Sequence, residues 1–200
     1  MKPNLKHIFE NVKDGDGLSF YRKAWYLQII PFFTREKKNE EAPQHVALCY
    51  EVKRNTNFVS FKLSEQVFKG GQYREIEIYC VDGKYFTEDD YFNKQNKIAL
   101  LSLKTPLNNK QKELAITDAL KQKGVKYGYN RLLLGIEFLE KIIPDEWQRY
   151  IYTRWTEKGK SRHCAIHIQI NYKKAGIYDC KDFNITPLEI TKLPIYNVIF

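Results

Sequence analysis

Side-chain alternation with a period of two runs through the first half of the chain and predicts a sheet. Over residues 45–51, His45, Ala47 and Cys49 fall on one strand face and Val46, Leu48 and Tyr50 on the other. Over 58–65, Val59, Phe61, Leu63 and Glu65 share a face, so a carboxylate closes an otherwise apolar row. Residues 74–81 and 84–86 flank Asp82-Gly83, a dipeptide that favours a two-residue hairpin turn. Gly15-Asp16-Gly17 reads as a turn feeding a short strand at 18–21, and 98–103 and 195–200 complete the set of strands.

The pattern changes after Leu103. Asn108 to Lys123 carries good helix formers behind an asparagine cap and stops at Gly124. Arg131 to Ile143 is rich in leucine and isoleucine and ends before Pro144, and 145–156 spaces Trp147, Tyr150, Ile151 and Trp155 as a helix would, although Tyr and Trp also suit strands. Ser161 as a cap starts a helix with Cys164 in its first turn, and Thr186-Pro187-Leu188-Glu189 is a compact helix start. Earlier in the chain, Trp25 to Phe33 predicts a short helix broken at Pro31, and the charged segment 34–42 predicts an exposed loop running into His45. Strands followed by helices make the expected fold class α+β.

At 200 residues and 43% hydrophobic content, the chain is expected to form a single domain spanning 1–200. Lys plus Arg exceed Asp plus Glu by 33 to 24, giving a formal net charge of +9, yet the basic residues are scattered. That predicts weak attraction to anionic surfaces and no specific nucleic-acid recognition. No signal-peptide core and no run of about 18 apolar residues is found, so the expected location is the cytoplasm. The four cysteines, Cys49, Cys80, Cys164 and Cys180, lack metal-type pair spacing and are expected to remain free thiols.

Three residues carry candidate chemistry. In the first turn of a helix, Cys164 would meet unpaired N–H groups and the positive end of the dipole, both of which favour a thiolate. The alternative is that Cys164, Ile168, Tyr172 and Ala175 form one helix face and the sulfur only packs. His45 suits a general base, and Glu65 could fix its tautomer. The plainer alternatives are a strand-end histidine bonded to a carbonyl and a glutamate paired with a lysine. His163 and His167, four apart and joined by Cys180, offer a weak zinc-binding alternative.

With these residues in view, the chain resembles the permuted NlpC-type cysteine hydrolases of papain-like fold, the YiiX-like group. The resemblance rests on the segments from Gly15 to Phe20, Gln44 to Leu48, Cys164 to Ile177, and Thr186 to Ile190, in the family's order. It spans roughly residues 14–191 in short, imperfect blocks, departing at Gln44, Ala47 and Ala165, which stand where serine, glycine and serine are usual. It implies a circularly permuted papain-like domain in which a small antiparallel sheet carries His45 and Glu65 against the Cys164 helix. It also implies Cys164 as nucleophile, His45 as base, Glu65 as the third residue and Tyr127 as a substrate-pocket wall. The expected activity is hydrolysis of a peptide-like amide or an ester, without metal or other cofactor. Two rivals stand beside it. One is lipid-directed acyl transfer or ester hydrolysis, with Trp25 to Phe33 in weak contact with a membrane surface. The other is a catalytically silent basic binding module.

Overall fold

The computed structural model describes residues 3–21, 43–67, 70–125, 163–179 and 187–200. In chain order the elements are α1 (Lys6–Asn11), β1 (Gly17–Tyr21), β2 (His45–Asn55), β3 (Phe58–Val67), β4 (Gly70–Val81) and β5 (Lys84–Phe86). They continue with α2 (Asp90–Asn93), β6 (Lys97–Leu103), α3 (Asn109–Lys121), α4 (Cys164–Lys174), α5 (Pro187–Thr191) and β7 (Tyr196–Ile199). The architecture is α+β. The strands form one antiparallel sheet in the order β5-β4-β3-β2-β1-β6-β7. Its seven strands among the described residues fall on the seven segments that the alternation predicts, and the sheet is larger than the small one that the resemblance implies.

Strand alternation sorts the core into two layers. Leu18, Phe20, Ala47, Cys49, Val59, Phe61, Leu63, Ile76 and Ile78 point to one face, where Leu5 at the α1 cap, Ile8 and Phe9 of α1, and Phe92 of α2 cover them. Val46, Leu48, Tyr50, Leu101 and Leu103 point to the other, packed with Ala119 of α3, Cys164, Ala165, Ile168 and Tyr172 of α4, and Ile190 of α5. The apolar rows read from the sequence are therefore real faces, each matched by helices that could not bury their own apolar sides alone.

Local chemistry sets the element boundaries. Asp82 and Gly83 take φ of 51° and 71°, the left-handed pair that a two-residue hairpin needs. Asn108 and Gln111 form a reciprocal capping box at the start of α3. The C-terminal end of α3 docks on β4, where Gly71 N–H donates to the Val125 carbonyl at 2.8 Å and Gly124 N–H to the Gly71 carbonyl at 3.0 Å. A Cβ on Gly71 would lie 1.9 Å from the Gln122 carbonyl oxygen, so only glycine permits this approach.

Two features fix the start of the sheet, one of them from α4. The Tyr172 hydroxyl donates to the Gly15 carbonyl and accepts from the Tyr196 hydroxyl at 2.7 Å. Buried Asp16 accepts from the N–H groups of Lys13 and Leu103, at 2.9 and 2.8 Å, locking the turn before β1. The predicted segments at 25–33, 34–42, 131–143 and 145–156 lie outside the described residues, as do Ser161 and Thr186. No helix among the described residues is long and apolar enough to cross a membrane.

Candidate active site

His45 opens β2, and its ring stacks on that of Phe20, its cross-strand partner in β1, with 5.7 Å between centroids. In the β2–β3 ladder Cys49 lies opposite Leu63. Two residues forward on β3 and two back on β2, Glu65 falls beside Ala47 and one diagonal step from His45, on the same face, within reach of a long side chain. The carboxylate makes that reach: Glu65 Oε2 lies 2.8 Å from His45 Nε2, and the Glu65 side chain is only 3% exposed. Twenty residues of separation thus become one hydrogen bond between neighbouring strands.

Cys164 is the first residue of α4. The cap preceding it is His163, not Ser161 as the sequence suggested; the His163 ring accepts from the Ile166 N–H at 3.5 Å. The Cys164 side chain hydrogen-bonds to His45. Because Nε2 of His45 is engaged by Glu65, Nδ1 is the nitrogen left for the sulfur. The N–H groups of Val46 and Ala165 also point to the sulfur and favour its anionic form.

The electrostatics follow from these contacts. Burial alone would push the Cys164 thiol up, but the hydrogen bond and charge of His45, with the two N–H groups, hold it below its ordinary value. Burial disfavours a charged His45, yet Tyr91, Cys164 and Glu65 together raise it well above the usual imidazole range. Burial likewise works against an ionised Glu65, and His45 and then Arg74 outweigh it, so the carboxyl is lowered. The direction for each group is toward a thiolate, an imidazolium and a carboxylate in a row. Cys49 is the contrast: burial and the nearby Asp16 and Asp14 push its thiol well above the ordinary value.

Three neighbours escaped the sequence reading. Arg74 on β4 donates from Nε to Glu65 Oε1 at 2.6 Å and from Nη1 to both Asp89 carboxylate oxygens at 3.3 Å. Its guanidinium lies over the Tyr91 ring, 4.3 Å from the centroid. Asp89 in turn caps α2 by accepting from Phe92 N–H at 2.8 Å. The signal for Arg74 was present in the pattern. It shares a strand face with Ile76 and Ile78, as Glu65 does with Val59, Phe61 and Leu63.

The alternative zinc cluster is not assembled among the described residues, where no group of three or more His, Cys, Asp or Glu side chains is placed to hold a metal. The His163 ring caps α4, His167 Nε2 bonds to Ser64 Oγ at 2.8 Å, and Cys180 lies outside the described residues. Tyr127, the expected pocket wall, and Trp25 to Phe33, the expected membrane contact, also lie outside them. Cys164, Ile168 and Tyr172 do share a buried helix face, so the packing alternative for Cys164 holds alongside its contact with His45. No family model, curated protein or solved structure matches this chain.

Proposed function

We propose that the chain is a thiol hydrolase acting on a peptide-like amide or an ester, with Cys164 as nucleophile, His45 as general acid and base, and Glu65 orienting His45. One observation carries the reading: three residues far apart in sequence meet as a row, with Glu65 Oε2 2.8 Å from His45 Nε2 and the Cys164 side chain bonded to the same ring. The row sits where a helix N-terminus meets strand ends, a setting that favours a thiolate.

The reaction follows from that order. The Cys164 sulfur attacks the substrate carbonyl carbon, and the carbonyl electron pair moves to oxygen, where N–H groups at the start of α4 can receive it. The His45 imidazolium gives its proton to the departing amine or alkoxide, the C–N or C–O bond breaks, and a thioester remains. The now neutral imidazole takes a proton from water as that water attacks the thioester. The thiolate leaves and the acid product is released. Throughout, Glu65 keeps Nε2 protonated so that Nδ1 is the nitrogen facing sulfur. The chain order of histidine, acidic residue and then cysteine is the one expected of a circularly permuted papain-like, YiiX-like enzyme. The adjacency of β2 and β3 beneath α4 is compatible with that fold.

The test is turnover of a panel of p-nitrophenyl esters and peptidyl aminomethylcoumarin amides by the wild-type protein, Cys164→Ala and His45→Ala. Turnover of a panel member that vanishes in both variants is expected. Full turnover by folded Cys164→Ala overturns the reading.

A further inference from the structure

Resting on that reading, we propose that Arg74 is a positioning residue for the Cys164–His45 pair, holding Glu65 ionised and aimed at His45 Nε2 through the 2.6 Å contact between its Nε and Glu65 Oε1. The argument starts from the carboxylate. Glu65 is almost wholly buried, and a buried carboxylate beside an imidazole has a neutral alternative, in which the proton sits on the acid and the ring is uncharged. In that neutral form the Cys164 thiolate loses the cation next to it. A second, permanent cation on the far carboxylate oxygen tips the balance toward carboxylate and imidazolium, because guanidinium does not lose its proton.

Arg74 is itself fixed from three directions. Glu65 takes Nε, both oxygens of Asp89 take Nη1 at 3.3 Å, and the Tyr91 ring lies beneath the guanidinium at 4.3 Å. Asp89 is held by its cap on α2, and Tyr91 makes a T-shaped contact with Phe20, on whose ring His45 stacks. The charged and titratable groups facing Glu65 are therefore His45 from β2, Arg74 from β4, Tyr91 and Asp89 from the α2 turn, and Cys164 beyond the imidazole from α4. Among the described residues, Arg74 is the permanent cation of this set. A lysine at position 74 would keep the charge but could not serve Glu65 and Asp89 from one rigid fork.

The probe is iodoacetamide, so no substrate need be known. Alkylation of Cys164 is followed by peptide mass mapping from pH 4.5 to 9 in the wild type, Arg74→Met, Arg74→Lys and His45→Ala. Circular dichroism confirms that each variant is folded, and buried Cys49 serves as an internal reference. The wild-type reaction is expected to begin at low pH and to depend on His45. In Arg74→Met the acid limb moves up by about one pH unit or more, a tenfold or greater loss of rate on the acid side, and Arg74→Lys restores part of the shift. A low limb that depends on His45 but stays in place, or moves down, in folded Arg74→Met overturns the role of Arg74 alone. A Cys164 that titrates as an ordinary thiol and ignores His45→Ala overturns the hydrolase reading and this role with it.

Discussion

Replacing Glu65 by glutamine keeps the shape and removes one acceptor, and the surroundings decide what that does. The wild-type carboxylate accepts from His45 Nε2 at 2.8 Å and from Arg74 Nε at 2.6 Å. An amide has one oxygen for these two donors. Arg74 cannot give up its proton, so it claims the oxygen, and the amide NH2 faces His45. Nε2 must then accept, the ring proton moves to Nδ1, and the nitrogen facing Cys164 can no longer take a proton from it. With that support gone, a thiol returning to a pKa of about 8.5 is only about 0.3% thiolate at pH 6. Alkylation of Cys164 at that pH should therefore fall toward two orders of magnitude. Breaking a buried pair by removing one partner costs about 3–5 kcal/mol. Here one bond survives and Arg74 keeps Asp89, so the stability loss should be about 2–3 kcal/mol, a fall in Tm of roughly 5–10 °C for a chain of this size. Iodoacetamide kinetics and thermal unfolding read the two effects. The double variant with Arg74→Met frees the amide oxygen for Nε2–H and should recover part of the rate lost in Glu65→Gln. Wild-type alkylation at pH 6 in Glu65→Gln, or a double variant that only adds the two losses, refutes the reasoning.

Further outcomes follow from the fold. Burial raises Asp16 to about 7, against an ordinary value of 3.8, so between those values the folded state holds a proton that the unfolded state has lost. Stability from this group is present at low pH and lost as pH rises toward 7, at about 1.4 kcal/mol per pH unit. His7 gives the opposite slope below its ordinary 6.5, because burial lowers it, so the measurement is the difference between wild type and Asp16→Asn in urea at pH 5, 6 and 7. A difference that does not change with pH contradicts the assignment. Gly71→Ala puts a methyl against the Gln122 carbonyl and strains two backbone bonds to the end of α3, and should cost about 3 kcal/mol in chemical unfolding. A cost under about 0.5 kcal/mol would mean that α3 does not dock there. Tyr172→Phe leaves the Gly15 carbonyl without its hydroxyl partner and takes an acceptor from Tyr196, costing about 1–3 kcal/mol, which the urea midpoint should report. An unchanged midpoint would sink that accounting.

The sheet was legible because its physics is local. Period-two rows in β2 and β3 place side chains on faces without reference to the rest of the chain, and the Asp82-Gly83 turn and the Asn108 cap need only their own neighbours. Glu65 stood out for the same reason, as a carboxylate on the face of Val59, Phe61 and Leu63. Arg74 sent an equal signal from the face of Ile76 and Ile78. By sequence it is only part of a hairpin strand, because a lone charge near a strand end has meaning only once the neighbouring strand is known. The helices α1 and α2 are six and four residues long, too short for a helical period to show. The sequence points to Ser161 as the cap of α4 because histidine is not among the usual capping residues, and the His163 ring takes that place only in the packed fold.

Core packing and nucleophilic chemistry looked like rival accounts of Cys164, and the geometry makes them compatible. The helix face carrying Cys164, Ile168 and Tyr172 is buried with Val46, Leu48 and Tyr50 of β2 and Leu101 and Leu103 of β6, so the residue's position is set by packing, as it would be for any small apolar side chain there. What differs is where on the helix it lies. At the first helical position the sulfur reaches past the packed face to the rim where β2 begins, and there it meets His45 and two backbone N–H groups instead of hydrocarbon. Cys49, in the middle of the same strand as His45, has the burial without the rim, and its thiol is pushed the opposite way. Burial thus disfavours charge on both sulfurs, and only at Cys164 do the groups that replace the water outweigh it. The same logic explains why chain order matters so little here. The row requires two adjacent strands and one helix N-terminus at a common end of the sheet, and any connectivity that delivers those three ends there builds the same row.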